Sequence, residues 1–335
     1  MSSMATIHGL HHFAYRCRDA EETRRFYEDL LGLPLVMTMK LDVVPSTGEF
    51  CPYVHIFFEM ADGSCIGFFD LGDNTKPLPS LTCHSLFLTM LLMEQQIKAL
   101  RDALAKAERV TALTGAGISA ESGVPTFRGA DGLWRNYNVM ELATPTAFAR
   151  SPELVWEFYN WRRNLITGLT VNPGHKALVD LEARVPHFTL VTQNVDGLHL
   201  KAGSKNLLEL HGNLWKVRCT QCHKVSLDMS PNMGPMPKCQ ECGGLLRPHV
   251  VWFGESLASA LLNRAIEAAR SCQVMLVIGT SAVVQPAASL AVEAKEAGAV
   301  VAEVNLEETP NSGMMDFVLF GKSGEILPKL VELGP

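Results

Sequence analysis

The sequence lacks three features that would place the protein in a membrane, on nucleic acid or in the secretory pathway. Its most apolar run, LFLTMLLM at 86–93, is far shorter than the roughly 20 residues of a membrane-spanning helix. A formal net charge of −6 provides no basic surface for general nucleic-acid binding. The opening MSSMATIHGL has no basic segment followed by an apolar run, so no signal peptide is expected. We therefore expect a cytoplasmic protein without membrane or sequence-specific nucleic-acid partners.

The cysteines do not form a disulfide framework, because they are nine in number and no secretory signal precedes them. Four of them have the spacing of a tetrathiolate zinc site: Cys219-x2-Cys222, sixteen residues, then Cys239-x2-Cys242. Four thiolates leave no position for water, so the predicted Zn²⁺ is structural. The other five cysteines lack such a grouping and are expected to be core or surface thiols: Cys17, Cys51, Cys65, Cys83 and Cys272.

A chain of 335 residues with 47% hydrophobic content is long enough for two domains. The pattern of residues 1–75 differs from that of the rest. An alternating strand at 11–17 precedes an amphipathic helix at 19–32, which Gly32 ends. Two further strands are predicted at 53–60 and 65–71, joined by a turn with an Asp-Gly signal. We interpret this order as a βαβββ-like unit in which three of the four strands are located.

Residues 7–36, with the phrase FYEDLLGLPLV, and the stretch DGSCIGFFDLGD resemble one module of the vicinal-oxygen-chelate (glyoxalase/dioxygenase) superfamily. The resemblance implies a metal site shared between paired modules, with His12 on the first strand and Glu59 or Asp70 as the carboxylate. One module supplies at most half of such a site. We interpret residues 1–75 as a partial module for docking or dimer pairing, and a metal-dependent lyase or dioxygenase activity is the alternative.

The boundary between the two parts is predicted at 76–93, a linker that starts polar and proline-rich. A second domain is predicted over 94–333, with a zinc-binding module inserted at 214–250. From residue 94 onward, helices alternate with short β-rich apolar runs, the pattern of a Rossmann-like, doubly wound parallel sheet. The runs lie at 110–113, 188–191, 274–278, 300–304 and 317–320.

Polar and glycine-rich segments follow four of these runs, namely TGAGISAESG, TQNVDGLH, GTS and NLE. Doubly wound sheets bind ligands beyond the carboxyl ends of their strands, so the four segments predict one crevice. Gly115–Ala120 fits the G-x-G-x-x-A dinucleotide fingerprint between a strand and a helix. No acidic residue ends a second strand about 20 residues later, so we expect Asn305–Glu307 to contact the ribose.

Together with the zinc cysteines, the motifs of residues 94–330 resemble the sirtuins, NAD-dependent protein-lysine deacylases, and within them the class III, CobB-type desuccinylase branch. The similarity covers about 70% of the chain, with every motif in order. The motifs are GAGISAESGVPTFRG (115–129), TQNVDGLH (192–199), LELHG (208–212), RPHVVWFGE (247–255), GTS (279–281) and VNLE (304–307).

The resemblance implies that NAD lies between the large domain and the zinc-bearing module. The first glycine turn would face the pyrophosphate, a flexible loop would cover the nicotinamide ribose, and a serine near the C-terminus would contact the adenine. The implied cofactor-binding residues are Gly115, Ala116, Gly117, Ala120, Phe127, Arg128, Trp134, Gln193, Asn194, Asp196, Gly279, Thr280, Ser281, Asn305, Leu306, Glu307 and Ser323.

The resemblance also implies His211 as general base, with Asn194 and Asp196 beside the nicotinamide. An imidazole with an ordinary pKa near 6.5 suits the removal of a proton from a ribose hydroxyl at neutral pH. The implied products are free lysine, nicotinamide and 2′-O-acyl-ADP-ribose. Mono-ADP-ribosyl transfer is the alternative. The segment that would pair with the backbone of an acyl-lysine protein consists of Val251, Trp252, Phe253, Gly254 and Glu255.

The stretch EFYNWRR at 157–163 places Tyr159 and Arg162 three residues apart, on one face of a predicted helix. A solvated rim with an arginine that reaches into water is the simplest interpretation. In the resembling branch, however, a Tyr-x-x-Arg pair forms the far end of the acyl tunnel. We therefore predict removal of succinyl, malonyl and also acetyl groups, with Arg163 pointing elsewhere.

Overall fold

The computed structural model describes residues 12–17, 19–43, 50–60, 65–70, 83–125, 133–134, 137–138 and 142–332. Their elements fall into two units, residues 1–95 and 96–335. Within the described ranges, no helix has both the length and the apolar content needed to cross a membrane.

The first unit contains the predicted βαβββ order. Strand β1 is followed by helix α1, a π-helical turn and three more strands, and the sheet order is β1-β4-β3-β2 with β1 parallel to β4. One face of this sheet packs on Tyr27, which lies beside Phe58 and Phe68. The bounds are β1 His12–Cys17, α1 Ala20–Arg24, the π turn Arg25–Leu30, β2 Leu35–Val43, β3 Phe50–Glu59 and β4 Cys65–Asp70.

Two details of this unit differ from the sequence prediction. The predicted helix 19–32 is split into α1 and the π turn, although Gly32 follows in the left-handed conformation (φ +71°), as a helix end requires. Strand β2 was not predicted, and its register against β3 shifts twice.

The predicted half metal site is described only in part. The side chain of His12 and the predicted Asp-Gly turn at 61–64 lie outside the described residues. Of the two candidate carboxylates, Glu59 is exposed, whereas Asp70 accepts a hydrogen bond from the Ala20 backbone nitrogen at 2.8 Å. Asp70 thereby joins the last strand to the start of α1.

Helix α2 covers Cys83–Lys106 and passes through Met93 without a break. Residues 83–93, expected within a linker, are therefore helical. The physical reason is that no proline or glycine occurs between residues 83 and 106, while the prolines of this region lie earlier, at Pro77 and Pro79. Residues 71–82 lie outside the described ranges.

The second unit is built on a six-stranded parallel sheet in the order β9-β8-β5-β13-β14-β15. The five predicted strands are present, and the short β9 was missed. The strands of this unit are β5 Arg109–Thr114, β6 Leu133–Trp134, β7 Tyr137–Asn138, β8 His187–Thr192, β9 Leu207–Glu209, β10 Gly212–Cys219, β11 Val225–Leu227, β12 Leu246–Val250, β13 Val274–Ile278, β14 Val300–Asn305 and β15 Phe317–Phe320.

Helices precede or follow most of these strands, as a doubly wound sheet requires. The helices are α3 Ala116–Ala120, α4 Pro145–Arg150, α5 Pro152–Thr167, α6 Pro173–Arg184, α7 Leu198–Ala202, α8 Ser259–Ser271, α9 Leu290–Glu296 and α10 Ser323–Val331. The chain runs from β5 outward through β8 and β9, then returns to the other side of β5 with β13. This reversal creates a crevice at the carboxyl ends of β5 and β13, where such folds bind ligands.

A smaller lobe follows β9 in the chain. Strands β11, β10 and β12 form an antiparallel sheet that packs with α5 around a core rich in tryptophan, including Trp156, Trp215 and Trp252. The three strands are spread along the predicted zinc-binding module at 214–250, and Cys219 is the last residue of β10. The lobe therefore attaches the cysteine cluster to the same core as EFYNWRR.

Candidate functional site

The glycine turn after β5 packs directly on the turn after β13. Gly115 donates its backbone N–H to the Ile278 carbonyl at 3.0 Å, and Gly117 donates to the Gly279 carbonyl at 2.8 Å. A Cβ on Gly117 would lie 2.6 Å from the Gly279 Cα, and Gly279 has φ +57°, so both positions require glycine. The fingerprint thus brings two strand ends into backbone contact at the crevice.

Side-chain amides connect the predicted strand ends. Gln193 Nε2 donates to Thr280 Oγ1 at 2.9 Å, and Asn305 Nδ2 donates to the Thr280 carbonyl at 2.9 Å. Asn194 Nδ2 donates to the Gly115 carbonyl at 2.9 Å and to Ser119 Oγ at 3.1 Å. The ends of β5, β8, β13 and β14 therefore form one continuous polar floor, as the four motifs predicted.

Asp196 lies buried beside this floor. Its Oδ1 accepts the Leu198 backbone N–H at 2.8 Å. Burial raises the pKa of this carboxyl, against hydrogen bonds from Leu198 and Ser119 and the charge of Arg162. Sequence reasoning did not single out Ser119, although the residue lies inside the fingerprint and touches both Asn194 and Asp196.

His211 is held by one ring nitrogen. Its Nδ1 lies 2.9 Å from the Gln193 carbonyl, which can only accept, so Nδ1 carries the proton and Nε2 holds the lone pair. Burial lowers the pKa of His211, and the Gln193 hydrogen bond acts in the opposite direction. At neutral pH the imidazole is therefore neutral, with Nε2 able to accept a proton.

The remaining predicted cofactor residues lie in different surroundings. Ser323 is buried, and its hydroxyl donates to Glu121 Oε1 at 2.6 Å. Ala116 is half-buried, while Ala120, Ser281, Leu306 and Glu307 are exposed. Phe127 and Arg128 lie outside the described residues, and only the backbone of Trp134, in β6, is described.

The four predicted zinc ligands converge. Their sulfur atoms all lie within 4.8 Å of one another, with Cys219 and Cys242 at 3.4 Å and Cys222 and Cys239 at 3.8 Å. A tetrahedron with Zn–S bonds of ~2.3 Å has sulfur separations of about 3.8 Å, so the cluster fits one zinc ion. Of the ungrouped cysteines, Cys17 and Cys272 are buried, and the side chains of Cys51, Cys65 and Cys83 lie outside the described residues.

Tyr159 and Arg162 lie on the buried side of α5, with exposed fractions of 4% and 8%. These values contradict the solvated-rim interpretation. Tyr159 Oη accepts the Trp252 indole N–H at 2.8 Å, and burial raises the pKa of Tyr159 to about 12. Burial lowers the pKa of Arg162, and the neighbouring Tyr159 and Asp196 act in the opposite direction.

Arg163 points away from this pair, as predicted. Its Nε donates to the Leu214 carbonyl at 2.9 Å and its Nη1 to the Ser230 carbonyl at 2.9 Å. Asp228 lies 3.2 Å from the same Nη1. Arg163 is therefore a buried connection between α5 and the zinc-bearing lobe.

The segment Val251–Glu255 extends from β12 toward His211. Val251 donates its backbone N–H to the His211 carbonyl at 2.9 Å, and Phe253 donates to the Ala143 carbonyl at 2.9 Å. Trp252 is buried, while Phe253 is 44% exposed and Gly254 has φ +87°. Trp252 donates its backbone N–H to Glu255 Oε2, and Glu255 donates to the Trp252 carbonyl, both at 2.9 Å. Four of the segment's five backbone N–H groups are thus paired within the protein, and the Phe253 ring is exposed.

Glu255 forms a bidentate ion pair with Arg247: Nη1 donates to Oε1 at 2.6 Å and Nη2 donates to Oε2 at 2.9 Å. Burial acts to raise the pKa of Glu255, but the hydrogen bonds from Arg247 and the Trp252 backbone outweigh it, and the pKa is lowered. Sequence reasoning missed the role of Arg247, which begins the motif RPHVVWFGE.

His175 and His199 form a buried pair next to the end of β5. Their ring centroids lie 4.8 Å apart, and His199 Nε2 lies 2.9 Å from Thr114 Oγ1 at the end of β5. Among the described residues, neither His175 nitrogen has a hydrogen-bond partner. Burial lowers the pKa of His175 to about 4 and that of His199 to about 3.

This pair predicts loss of stability in mild acid. An unfolded histidine has a pKa near 6.5, so between about pH 6.5 and 4 the unfolded chain binds protons that the folded pair excludes. Stability is then fully present above pH 6.5 and falls by about 1.4 kcal/mol per pH unit for each histidine as the pH drops. We expect His199→Asn to weaken this dependence in thermal unfolding between pH 4.5 and 7.5.

His187, exposed at the start of β8, offers the matched control. The His187→Asn protein should retain the wild-type pH dependence. An unchanged slope in His199→Asn would show that the acid sensitivity comes from other groups.

Fold and site define a doubly wound α/β protein with a glycine-lined crevice and an attached tetrathiolate lobe. The profile of the Sir2 family matches residues 115–286. The chain belongs to the Sir2 family. Residues 9–134 match the profile of the Glyoxalase/Bleomycin resistance protein/Dioxygenase superfamily, a range that contains the βαβββ unit and extends into the Sir2 match.

Similar proteins support this assignment. The NAD-dependent protein deacylase of Aquifex aeolicus (strain VF5) is 54% identical over 224 residues, which are 67% of this chain and 94% of the relative. A Sir2 homologue solved as an NAD complex is 48% identical with a TM-score of 0.67, over 70% of this chain and 92% of that one. A Sir2 protein with deacetylated p53 peptide and 3′-O-acetyl-ADP-ribose is 32% identical with a TM-score of 0.63, over 70% and 96%.

Proposed function

We propose that the chain is an NAD-dependent protein deacylase that removes acyl groups ending in a carboxylate, such as succinyl and malonyl, from lysine. Acetyl groups are a second substrate. The relatives' activity supports the general reaction, and the buried Tyr159–Arg162 pair carries the acidic preference. Free lysine, nicotinamide and 2′-O-acyl-ADP-ribose are the proposed products.

The residues that would hold NAD are those of the polar floor. The Gly115–Ala120 turn, at the start of α3, would face the pyrophosphate, and Asn305 lies at the end of β14, where the adenosine part would extend. Thr280 connects the two through its hydrogen bonds to Gln193 and Asn305. The chemistry that NAD supplies is an electrophilic ribose carbon whose bond to nicotinamide can break.

His211 would act as the general base. Its Nδ1–H is held by the Gln193 carbonyl, which fixes the tautomer and aims the Nε2 lone pair at a substrate hydroxyl. Because burial lowers its pKa, the base form persists somewhat below pH 6.5. Asn194 and Asp196 would align the nicotinamide end of the crevice, since both touch Ser119 beside the glycine turn.

The acidic preference follows from the chemistry of two donors. A guanidinium can only donate hydrogen bonds, and a buried one is stabilised by an anion. A carboxylate at the end of the acyl chain would accept from Arg162 and from the Tyr159 hydroxyl, and such charge-assisted bonds are strong where water is excluded. A neutral acetyl group would use neither donor.

The substrate backbone would bind along Val251–Glu255. The exposed Phe253 ring and the open backbone at Gly254 support this, since an extended peptide gains affinity through main-chain contacts. The zinc ion would be structural and held by Cys219, Cys222, Cys239 and Cys242. Residues 1–75 would serve docking or pairing, because a single module supplies at most half of a metal site.

The test is Arg162→Met, which keeps the apolar stem and removes the charge. Loss of one or two charge-assisted hydrogen bonds costs about 1.5–3 kcal/mol each, so kcat/KM on succinyl-lysine should fall roughly 10- to 100-fold more than on acetyl-lysine. Kinetics on succinyl, malonyl and acetyl versions of one peptide measure this ratio.

Arg150→Met, at an exposed position of α4, serves as the matched control and should retain the wild-type ratio. Equal losses on succinyl- and acetyl-lysine in Arg162→Met would refute the acidic preference and leave the general deacylase activity intact.

A further inference from the structure

We propose that Trp252 is a positioning residue that sets the acyl selectivity, because its indole N–H fixes the direction of the Tyr159 hydroxyl proton. The inference rests on the proposed acidic preference of this site. Trp252 belongs to the proposed substrate-binding segment Val251–Glu255, and its side chain is buried in the protein.

The donor and acceptor groups of Trp252 and Tyr159 determine the direction of the hydroxyl proton. Trp252 Nε1 and Tyr159 Oη are 2.8 Å apart, and both side chains are buried. An indole N–H can only donate, so the Tyr159 oxygen must accept. The hydroxyl has a single proton, which Trp252 cannot receive, and this proton remains directed at another acceptor.

The neighbouring Arg162 guanidinium is also only a donor of hydrogen bonds. Arg162 lies on the same face of α5, within electrostatic range of Tyr159, and its guanidinium cannot accept a proton either. Tyr159 and Arg162 therefore present donors together. An incoming carboxylate offers two oxygens and about four lone-pair positions, enough for both donors. A substrate without that carboxylate does not use the arrangement.

The indole itself is held on two sides. The Arg247 guanidinium carbon lies 3.5 Å from the centroid of the Trp252 ring, and Glu255 forms two hydrogen bonds with Arg247, at 2.6 and 2.9 Å. Glu255 Oε2 also accepts the Trp252 backbone N–H at 2.9 Å. Phe148 packs against the indole, with ring centroids 5.2 Å apart. The N–H is thus preset before substrate arrives, which lowers the ordering cost of binding.

Removal of the indole N–H should therefore weaken the preference for succinyl-lysine over acetyl-lysine. In Trp252→Phe the Tyr159 oxygen loses its donor and its hydroxyl can rotate, so the ratio of succinyl to acetyl kcat/KM should fall roughly fivefold to tenfold. The change should be in KM for the succinyl peptide, because the interaction binds the acyl end rather than the reacting carbon. Replacing Trp252 by 3-benzothienylalanine, which keeps the bicyclic shape without N–H, gives the same test if the phenylalanine variant folds poorly.

A double-mutant cycle links the effect to Tyr159. In a Tyr159→Phe background, Trp252→Phe should not change the succinyl-to-acetyl ratio further, because the hydroxyl it orients is absent. The matched control is Trp156→Phe in the same core, where a fully buried indole donates to the Leu246 carbonyl at 2.8 Å instead. This control should retain the wild-type ratio.

The selectivity ratios of the Tyr159, Arg162 and Trp252 variants test the role of Trp252 and the acidic preference separately. A ratio that falls in Tyr159→Phe and Arg162→Met but not in either Trp252 variant overturns the inference and leaves the acidic preference in place. Additive effects of Tyr159→Phe and Trp252→Phe overturn it as well. A ratio that none of the Tyr159, Arg162 and Trp252 variants changes overturns the acidic preference itself.

Discussion

Replacing His211 by asparagine is expected to lower kcat/KM for deacylation at least about 100-fold, the lower range for loss of a general base. The asparagine amide can still donate to the Gln193 carbonyl, which His211 Nδ1 contacts at 2.9 Å in the wild type. It provides no basic nitrogen at the position of Nε2. The variant should thus retain the local fold and lose the proton acceptor.

Nicotinamide release and product formation, followed together with an acyl-lysine peptide, measure this loss. Thermal stabilisation by NAD should remain, because the turn at Gly115–Ala120 and the Gln193–Thr280 contact are unchanged. In the wild type, the acid limb of the kcat/KM profile should lie below pH 6.5, since burial lowers the pKa of His211.

His187→Asn removes an exposed histidine from the opposite end of β8 and should leave activity unchanged. A His211→Asn protein with near-wild-type deacylation would exclude His211 as the base. Transfer of label from NAD to protein that persists in His211→Tyr would instead favour mono-ADP-ribosyl transfer.

Replacing Cys219 by serine is expected to release the zinc ion and destabilise the smaller lobe by several kcal/mol. Cys219 is fully buried, and its sulfur lies 3.4 Å from that of Cys242. Apparent binding energies for structural zinc in small fingers are about 10–16 kcal/mol, so even partial loss of the site is severe. The zinc content should fall from one ion per chain toward zero.

Activity should fall with the zinc content, because the lobe supports the helix of the acyl pair. Arg163 of α5 donates to the carbonyls of Leu214 and Ser230, both at 2.9 Å. A loosened lobe would therefore displace Tyr159 and Arg162 without contact between zinc and substrate.

Elemental analysis and thermal unfolding of Cys219→Ser, with and without added Zn²⁺, give the measurement. Cys272→Ser is the matched control. Cys272 is also buried and lies outside the cluster. Its thiol donates to the Ala269 carbonyl, and a serine hydroxyl can make the same hydrogen bond. A Cys219→Ser protein that keeps one zinc ion and wild-type stability would contradict the tetrathiolate site.

Short patterns of apolar and polar residues predicted those strands and helices whose formation depends on residues close together in the sequence. The five predicted strands of the second unit were recognised because a strand buried on both faces is a continuous apolar run, and β13 is buried throughout. Strand β2 was missed although Met37–Val43 alternates apolar and polar residues, and β9 was missed because it has only three residues. Residues 83–93 were assigned to the linker because proline-rich residues precede them, although the apolar run at 86–93 is compatible with a buried helix or strand.

The sequence by itself determined the zinc spacing, the glycine fingerprint and the tyrosine–arginine pair, because each depends on residues a few positions apart. Only the tertiary structure decided what these residues touch. The Trp252–Tyr159 hydrogen bond joins residues 93 positions apart, and the Asn194–Gly115 bond joins residues 79 apart. Such contacts come from the packing of whole elements, so no local pattern encodes them. EFYNWRR specifies a helix face with two donors, and the fold alone buries that face beside Trp252 and Asp196.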